Sequence, residues 1–514
     1  MNDAEAIRSA GQIVAWIRSS VPEGAHLRID SRQVGRGDVF IALPGRRTDG
    51  RAHVADALGR GAAAIVTERG ATEQGGAVPM LQVEALADQL ARIGAIFYRD
   101  PTAQLLTIGV TGTNGKTSCS HWIAQVLTAC GRRCAVIGTV GSGFPGALQT
   151  DSALTTPDAI GLQRQARALA DAGAQALAME VSSIGLDQGR TDAVSFDLAL
   201  FTNLTRDHLD YHGSMTDYER AKTRLFDTQS LAHVVLNLDD ELGRQLARRC
   251  SARGLPTTGY RIEPAAAEPV LDCELSGESV RMDSDAVRFD AHLRRRDGSL
   301  QTVPLRAPVI GRFNLSNVLG VLGIALAAGI DARDAGAVLD RLRPPPGRLQ
   351  RVESEHEGPL VLVDYAHTPD AIEQALAAVR PVAAARCGRL WIVFGAGGDR
   401  DPGKRPLMGA AAARGADCIV VTSDNPRGED PGRIIDQIIE GASGAPTRAQ
   451  RDPDRSHAIT QAVLQADAAD VVLIAGKGHE QYQDVGGHRL PFSDLQCARL
   501  ALQSRAGRAA TQGP

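Results

Sequence analysis

The sequence predicts an α/β protein of three domains, and two observations carry that prediction. Short aliphatic runs, typical of buried parallel strands, alternate with helical patterns along most of the chain. The length of 514 residues also exceeds what one hydrophobic core usually holds, since about 150 residues per domain is common. We therefore expect a small α/β N-terminal domain, a central domain with a mostly parallel sheet, and a C-terminal Rossmann-like domain.

Two proline-containing segments predict where these domains meet. The proline of segment 99–102 disfavours helix in the residue before it and ends a helical pattern. The three prolines and the glycine of segment 344–347 cannot form the interior of a helix. The predicted domains are therefore residues 1–99, 100–343 and 344–514.

Each predicted domain has its own strand pattern. The aliphatic runs lie at 39–43 and 62–66 in the N-terminal domain, at 105–111, 176–181, 198–202 and 233–238 in the central domain, and at 360–364, 390–394, 418–422 and 471–475 in the C-terminal domain. Polar and apolar residues alternate between 268 and 306, which is typical of antiparallel strands exposed on one face. This stretch is expected to be a β excursion inside the central domain.

Composition excludes several classes of protein. Lys and Arg number 56 against 60 Asp and Glu, so no global positive field is available for non-specific nucleic-acid binding. The eight cysteines include no CxxC pair, which disfavours a zinc ribbon or a disulfide framework. The N-terminus is acidic where a signal peptide would begin with basic residues, and no apolar stretch is long enough for a membrane span. We expect a cytoplasmic protein that binds no nucleic acid.

A phosphate-binding loop is predicted between the run 105–111 and the helical pattern that follows it. Glycines let backbone N–H groups face an anion, a lysine reaches the β- and γ-phosphates, and a threonine hydroxyl can hold Mg²⁺. Val110 replaces the glycine that usually stands five positions before the second glycine of the loop, and an ordinary glycine-rich turn is the alternative. The predicted ATP-binding residues are Gly112, Thr113, Asn114, Gly115, Lys116 and Thr117.

Glu180 and His208 are candidate magnesium ligands. Glu180 ends one aliphatic run, and His208 follows another, at the sheet edge where α/β proteins place ligands. Either residue alone would be an ordinary loop residue. Phosphoryl transfer, however, needs acidic or imidazole groups that hold metal near the phosphate loop.

Eight motifs together resemble the ATP-dependent Mur ligases. They are 112–117 (GTNGKT), 179–183 (MEVSS), 202–213 (TNLTRDHLDYHG), 311–314 (GRFN), 363–370 (VDYAHTPD), 397–401 (GGDRD), 424–427 (DNPR) and 476–480 (GKGHE). The resemblance is closest to the branch that adds the third amino acid to UDP-N-acetylmuramoyl-L-alanyl-D-glutamate. It implies that the N-terminal domain holds the UDP end of this substrate, the central domain binds ATP, and the C-terminal domain brings in the amino acid.

The chemistry implied by this resemblance is amide formation through an acyl phosphate. ATP phosphorylates the γ-carboxylate of the D-Glu residue, and the incoming amine then displaces the phosphate. The implied catalytic residues are Lys116, His208 and Lys222, and the implied Mg²⁺ ligands are Thr117, Glu180, His208 and Lys222. Lys222 matches a lysine that is carbamylated in the family; from the sequence alone it would be a solvated helix lysine.

Further site residues are implied by the same resemblance. The nucleotide contacts are Asn314, Arg348 and Asp364, and His367 follows Asp364 by three residues. The contacts to the UDP-sugar peptide are Ile29, Ser31, Arg46, Arg47, Thr48, Thr155, Thr156, Ser182, Gln188 and Arg190. Leu154 and Ile184 depart from the family pattern, which has Asn and His at these positions in many members.

The motif 424–427 resembles the signature of the meso-diaminopimelate-adding branch. Diaminopimelate differs from lysine by a carboxylate at its far end, and Arg427 can hold that group in a bidentate pair. The implied amino-acid contacts are Arg400, Asp424, Asn425, Pro426, Arg427, Gly476 and Glu480.

The sequence therefore predicts a monomeric ligase that uses ATP, Mg²⁺, UDP-N-acetylmuramoyl-L-alanyl-D-glutamate and meso-diaminopimelate in peptidoglycan precursor synthesis. A lysine-adding ligase and a folylpolyglutamate synthase-like ligase are the alternatives within the same chemistry. A phosphate-loop motor or switch is an alternative from another class, and a catalytically inactive binding protein is disfavoured by the full set of motifs.

Overall fold

The structure is a computed structural model that describes residues 9–45, 48–69, 78–149, 154–262, 271–283, 286–354, 357–443 and 449–511. The chain divides into two compact units. The first comprises the described residues within 1–111, 127–200 and 216–234, and the second comprises those within 112–126, 201–215 and 235–514. Each unit is described by itself below.

Helices and strands alternate along the described chain. The helices are α1 (Ala10–Ser20), α2 (Val54–Gly59), α3 (Leu86–Phe97), α4 (Lys116–Ala129), α5 (Ala159–Asp171), α6 (Ser183–Asp187), α7 (Leu209–His212), α8 (Met215–Thr223), α9 (Glu241–Ala252), α10 (Arg312–Ala327), α11 (Ala332–Leu339), α12 (Pro369–Ala385), α13 (Lys404–Gly415), α14 (Pro431–Gly441), α15 (Arg455–Gln465) and α16 (Asp494–Thr511).

The strands are β1 (Leu27–Arg28), β2 (Val39–Ala42), β3 (Ala64–Glu68), β4 (Met80–Val83), β5 (Leu106–Thr111), β6 (Cys134–Gly138), β7 (Gly141–Phe144), β8 (Ala147–Gln149), β9 (Ala176–Glu180), β10 (Leu198–Phe201), β11 (His233–Asn237), β12 (Thr257–Ile262), β13 (Cys273–Met282), β14 (Val287–Arg295), β15 (Leu300–Ala307), β16 (Gln350–Arg351), β17 (Leu360–Asp364), β18 (Leu390–Phe394), β19 (Cys418–Thr422), β20 (Gln450–Asp452), β21 (Val471–Ala475), β22 (Tyr482–Val485) and β23 (His488–Pro491).

The first unit contains a small parallel sheet and a larger mixed one. The small sheet has the order β1-β2-β3-β4, and all three of its strand pairs are parallel. In the larger one the order is β10-β5-β9-β6-β7-β8; β5 and β6 both pair with β9 in parallel, whereas β7 and β8 are antiparallel. The carboxyl ends of β5 and β9 therefore share one edge.

The second unit contains the antiparallel strands predicted between residues 268 and 306, and the C-terminal sheet. Strands β13, β14 and β15 pair antiparallel, which confirms the prediction for residues 268–306 where they are described. The C-terminal sheet has the order β16-β17-β21-β18-β19-β20, and its four central strands are parallel. Its strands β17, β18, β19 and β21 coincide with the four predicted runs. An α/β fold with mostly parallel sheets is thus confirmed.

Two further predictions can be compared with the described part of the chain. None of its helices has the length and apolar character needed to cross a membrane. All eight cysteines lie within the described residues, and none of them forms a disulfide.

A buried ion pair supports the carboxyl edge of the C-terminal sheet. Arg455 donates from Nε and Nη2 to the two carboxylate oxygens of Asp494, each at 2.7 Å, and both side chains are fully buried. The same guanidinium donates to the carbonyl oxygens of Ser423, just after β19, and Ala475, the last residue of β21. Arg455 therefore joins the two loops that follow these strands.

We expect Arg455→Met to lower the free energy of unfolding by about 3–5 kcal/mol, because it leaves a buried carboxylate unpaired. Denaturant unfolding followed by circular dichroism would measure this change. Arg451→Met is the control, since Arg451 pairs with Asp436 at the surface and such pairs contribute less than about 1 kcal/mol. Equal losses in the two variants would contradict the assignment.

Candidate functional site

The phosphate loop lies between β5 and α4, and two of its positions accept only glycine. Gly112 has a φ of 146° and Gly115 a φ of 86°. A Cβ at Gly112 would overlap the hydroxyl of Thr202, and a Cβ at Gly115 would lie 2.5 Å from Oδ1 of Asn317. The missing side chains therefore allow the loop to pack closely against the segments that surround it.

The segment after β10 braces this loop. The N–H of Thr113 donates to the carbonyl oxygen of Asn203 at 2.8 Å, and the N–H of Asn114 donates to Oδ1 of Asn203 at 2.9 Å. The hydroxyl of Thr202 donates to the carbonyl oxygen of Asn114 at 2.6 Å. The loop is thus held in shape at the N-terminus of α4, where the helix dipole favours an anion.

Three of the predicted nucleotide residues meet at the loop. Nζ of Lys116 donates to the carbonyl oxygens of Gly112 and Thr113, at 2.9 and 2.8 Å. The hydroxyl of Thr117 is almost fully buried and accepts a hydrogen bond from Nη2 of Arg348 at 3.0 Å. The structure therefore places two positive side chains beside the predicted phosphate site.

Neighbouring side chains hold both Arg348 and Asn314 in place. The guanidinium of Arg348 lies over the ring of Tyr365, 4.7 Å from its centroid. Nδ2 of Asn314 donates to the carbonyl oxygen of Ile310 at 2.9 Å, and its Oδ1 accepts from Asn317 at 3.2 Å. Both predicted contacts are thus preorganised within the second unit.

Asp364, at the end of β17, is already engaged by backbone groups. Its two oxygens accept from the N–H groups of Leu349 and Ala366, at 2.7 and 2.8 Å. Burial raises the pKa of Asp364, although Arg348 and these N–H groups oppose that effect. Asp364 therefore ties the backbone just after segment 344–347 to the end of β17, in addition to its predicted contact with the nucleotide.

His121 is a site residue that the sequence reasoning did not single out. It lies on α4, is 4% exposed, and its Nε2 has no hydrogen-bond partner. Burial, together with the positive charges of Arg348 and His479, lowers the pKa of His121 to about 4. The imidazole is therefore neutral at physiological pH. The sequence did contain a signal for this residue, because His121 follows Lys116 by five residues on the helix that begins at the phosphate loop.

A charged cluster lies near the phosphate loop. Nε2 of His208 is 3.5 Å from a carboxylate oxygen of Asp207, and Nζ of Lys404 donates to the carbonyl oxygen of His367 at 3.2 Å. Burial lowers the pKa of both His367 and Lys404. Burial alone would raise the pKa of Asp207, but the charges of His208, His367 and Lys116 hold it below its usual value. Neither Asp207 nor Lys404 was singled out from the sequence.

The loops after β18 and β19 are hydrogen-bonded to each other. The N–H of Gly398 donates to the carbonyl oxygen of Asn425 at 2.9 Å, and Nη1 of Arg427 donates to the carbonyl oxygen of Gly398 at 2.6 Å. The N–H of Gly428 donates to Asp399 at 3.1 Å. The structure thus joins two of the predicted amino-acid-binding segments.

The hairpin formed by β22 and β23 holds the backbone of Arg427. The N–H of Arg427 donates to the carbonyl oxygen of Asp484 at 3.0 Å, and its own carbonyl oxygen accepts from Gly486 at 2.8 Å. Nε2 of Gln483 donates to the carbonyl oxygen of Asp424 at 2.8 Å. Arg427 has a φ of 50°, a left-handed conformation that is uncommon for arginine. The hairpin therefore fixes the unusual backbone that orients this guanidinium.

An ion pair at the base of these loops supports them. Both terminal nitrogens of the buried Arg405 donate to the carboxylate of Glu429, at 2.9 and 2.8 Å, and Nη1 also donates to Gln437. These bonds, with a further one from the N–H of Asp399, lower the pKa of Glu429 to about 2. Glu429 therefore stays ionised throughout the physiological range.

Asp424 presents an unsatisfied oxygen at the same sheet edge. The residue is 8% exposed, and its Oδ2 has no hydrogen-bond partner. Gly476 has a φ of 115°, and a Cβ there would lie 2.5 Å from this oxygen. A side chain at position 476 would therefore crowd the carboxylate. Arg400 lies in the loop that follows β18, and its side chain is exposed.

In the first unit, Glu180 lies at the end of β9 and is 1% exposed. Its carboxylate accepts from the N–H and the hydroxyl of Thr139, at 2.8 and 3.1 Å. The hydroxyl of Thr139 also contacts that of Thr155 at 3.1 Å.

Lys222 on α8 is 1% exposed, and its Nζ lies 4.6 Å from the centroid of the Tyr218 ring. The lysine is therefore not the solvated residue that the sequence alone predicts.

Four predicted contacts for the UDP-sugar peptide form one hydrogen-bonded group in the first unit. Nη1 of Arg190 donates to the carbonyl oxygen of Thr156 at 2.7 Å, and its Nε donates to Oε1 of Gln188 at 3.0 Å. The hydroxyl of Thr156 accepts from the N–H of Ser182 at 2.9 Å. This arrangement offers an amide, hydroxyls and a guanidinium in a fixed geometry.

The remaining predicted contacts are in the N-terminal segment of the first unit. Ser31 is buried, Ile29 packs against the local hydrophobic core, and the carbonyl oxygen of Thr48 accepts from Gly45 at 3.0 Å. Arg46 and Arg47 lie outside the described residues.

Three family models match successive parts of this chain. They are the Mur ligase family catalytic domain over residues 25–98, the Mur ligase middle domain over 110–325, and the Mur ligase glutamate ligase domain over 347–478. The chain belongs to the Mur ligase family, a class of ATP-dependent ligases.

Within this family, the chain is similar to UDP-N-acetylmuramoyl-L-alanyl-D-glutamate–2,6-diaminopimelate ligases. It is 48% identical to that of Ralstonia nicotianae over 505 residues, covering 96% of each chain. It is 47% identical to that of Pseudomonas aeruginosa, covering 93% of this chain and 94% of the relative. A solved structure of such a ligase is 36% identical with a TM-score of 0.62, covering 94% and 95% of the two chains.

Proposed function

We propose that this chain is a ligase of the MurE type, which adds meso-2,6-diaminopimelate to the D-Glu γ-carboxylate of UDP-N-acetylmuramoyl-L-alanyl-D-glutamate. The observation that carries the proposal is a phosphate loop in the same unit as a preorganised arginine-bearing loop. Lys116 and Arg348 flank the phosphate loop, and the β22–β23 hairpin holds the backbone of Arg427 in the loop after β19. The similarity to diaminopimelate ligases over nearly the whole chain supports the same substrate.

The phosphate loop and the arginine-bearing loop supply different parts of the reaction. A carboxylate is a poor acyl donor, and phosphorylation by ATP provides a leaving group for the incoming amine. Lys116 and the N-terminus of α4 would stabilise negative charge on the transferred phosphoryl group. Asn314, Arg348 and Asp364 would hold the nucleotide, and products would be ADP, phosphate and the UDP-linked tripeptide.

The UDP-sugar peptide would be held by residues of the first unit. We assign this role to Ile29, Ser31, Arg46, Arg47, Thr48, Thr155, Thr156, Ser182, Gln188 and Arg190. The hydrogen-bonded group around Arg190 supports this assignment, because guanidinium and hydroxyl donors suit carboxylates and phosphates. Arg400, Asp424, Asn425, Pro426, Arg427, Gly476 and Glu480 would receive the amino acid.

The Mg²⁺ ligands that we propose from the family resemblance are Thr117, Glu180, His208 and Lys222. Their donors fit a cation if Lys222 is carbamylated, because Glu180 supplies a buried carboxylate and Thr117 a hydroxyl oxygen. No group of three His, Cys, Asp or Glu side chains within the described ranges forms a metal centre by itself. Bound Mg²⁺ would neutralise phosphate charge, so that a carboxylate can approach ATP.

We expect Lys222→Met to abolish Mg²⁺-dependent turnover, because the variant cannot form the carbamate that would bind the cation. Carbon-13 NMR after incubation with labelled bicarbonate provides a direct measurement. A carbamate signal in the wild type that disappears in Lys222→Met would support the assignment. Full activity of the variant would contradict it.

The proposed function is tested by phosphate release from ATP and Mg²⁺ in the presence of UDP-N-acetylmuramoyl-L-alanyl-D-glutamate. Three reactions, with meso-diaminopimelate, L-lysine or no amino acid, are compared, and the product is identified by mass. We expect release and a tripeptide product with diaminopimelate alone. Activity with lysine instead would overturn the substrate assignment, and release without any amino acid would indicate a simple ATPase.

The proposal also includes domain boundaries at residues 99 and 343, a monomeric state and a cytoplasmic location.

A further inference from the structure

Lys477 is a buried cation that has no part in the chemistry described so far. It follows β21 by two residues, and its side chain is fully buried. Nζ donates to Oδ1 of Asn425 at 2.9 Å and to Oε2 of Glu480 at 2.8 Å. Both partners belong to the proposed amino-acid site. A buried ammonium with two such bonds is held in one position, because any movement would leave its charge unpaired.

The two partners of Lys477 are also bonded to each other. Nδ2 of Asn425 donates to Oε2 of Glu480 at 2.9 Å, which closes a triangle of hydrogen bonds. Oδ1 of Asn425 accepts a further bond from the N–H of Asp484 in the hairpin, at 2.9 Å. Both ends of the Asn425 side chain are therefore engaged within the protein. Its amide holds the loops together, whatever contact its backbone makes with an amino acid.

The triangle determines which oxygen of Glu480 is available. Both hydrogen bonds from Lys477 and Asn425 converge on Oε2, which leaves Oε1 to accept from an ammonium group. A carboxylate fixed in orientation is what an incoming diamino acid requires for recognition of one of its ammonium groups.

We propose that Lys477 is a positioning residue for the amino acid, acting through Glu480 and Asn425. This inference rests on the proposed function, because it takes diaminopimelate as the amino acid. Lys477 orients the Glu480 carboxylate and, through Asn425, joins it to the hairpin that holds Arg427. The two ends of the diamino acid are thereby recognised by groups whose separation is fixed by one buried lysine.

The test is steady-state kinetics of Lys477→Met in the full-length protein. We expect the KM for meso-diaminopimelate to rise roughly 10- to 100-fold, as for the loss of hydrogen bonds to a charged group. The KM values for ATP and the UDP substrate should stay at wild-type levels. A diaminopimelate KM that does not change, or an equal rise in all three KM values, would overturn the inference.

Arg389→Met is the matched control. Arg389 pairs with the buried Asp470 at the amino end of β21, the opposite edge of the same sheet. We expect this variant to leave the KM for diaminopimelate unchanged. A rise equal to that in Lys477→Met would indicate a general effect of lost charge pairs and would contradict the inference.

A second pair of variants separates positioning from folding. Glu480→Gln removes the carboxylate through which Lys477 acts. If Lys477 acts only through this carboxylate, adding Lys477→Met to Glu480→Gln should raise the KM for diaminopimelate little further. This comparison is available even if Lys477→Met alone does not fold, since the double variant leaves no carboxylate unpaired. A large additional rise would overturn the inference. Failure of the wild type to use diaminopimelate would instead overturn the proposed function.

Discussion

Lys116→Met should lower kcat by about a hundredfold to a thousandfold, which is the effect of removing one donor that stabilises transition-state charge. Nζ of Lys116 lies on the phosphate loop itself, bonded to the carbonyl oxygens of Gly112 and Thr113. Methionine keeps the length of the side chain but removes both the charge and the donors. Rapid-quench measurement of phosphate release in a single turnover would isolate this step from product release.

The control for Lys116→Met is Arg132→Met. Arg132 is exposed and follows the other end of α4, so this variant makes the same change of charge away from the loop. We expect its kcat to match the wild type. A Lys116→Met enzyme that retained activity within about threefold of wild type would contradict the role assigned to the lysine, since one lost charge-assisted hydrogen bond should cost more than that.

Arg427→Ala should lower kcat/KM for meso-diaminopimelate by about a hundredfold or more, because it removes the guanidinium assigned to the far carboxylate, and the loss of one partner of a hydrogen-bonded charge pair costs several kcal/mol. The KM for the UDP substrate should not change. The guanidinium is anchored by the carbonyl oxygen of Gly398, and its backbone is bonded on both sides to the hairpin. It is therefore held ready for a carboxylate before one binds. Competition between diaminopimelate and lysine would show whether discrimination is lost as well.

Two further variants complete the test of Arg427. Arg427→Lys keeps the charge but cannot form a bidentate pair, so we expect an intermediate loss. Arg433→Ala removes an exposed arginine from the adjacent helix α14 and should leave the kinetics unchanged. Wild-type kinetics with diaminopimelate in Arg427→Ala would refute the assigned role and leave the ligase activity to be explained by other residues.

The parallel strands of the C-terminal domain show how far the sequence could predict the fold. Strands β17, β18, β19 and β21 coincide with aliphatic runs, because strands covered on both faces contain few polar residues. The phosphate loop was equally accessible, since its glycines, lysine and threonine are adjacent in the chain. The catalytic and binding roles of these residues stay predictions until the experiments above are made.

Lys222 shows where prediction from local sequence failed. By itself it was expected to be a solvated helix lysine, whereas the structure buries it against Tyr218. His121 on α4 is a second example. It is buried near the distant residues Arg348 and His479, and its Nε2 has no hydrogen-bond partner. Neither environment can be read from the neighbouring residues.

The sequence by itself determined the class of fold, the positions of the main buried strands and the motifs that resemble the Mur ligases. These depend on the period of apolar residues and on short motifs, both of which are local. Only the tertiary structure decided that Lys477, Asn425, Glu480 and the hairpin form one network. Its hydrogen bonds join residues up to 59 positions apart, so they exist only once β19 and β21 lie in one sheet. The same packing removes Lys477 from water, and a buried ammonium group must pair with the polar groups around it. The motif 476–480 by itself assigned this lysine no role.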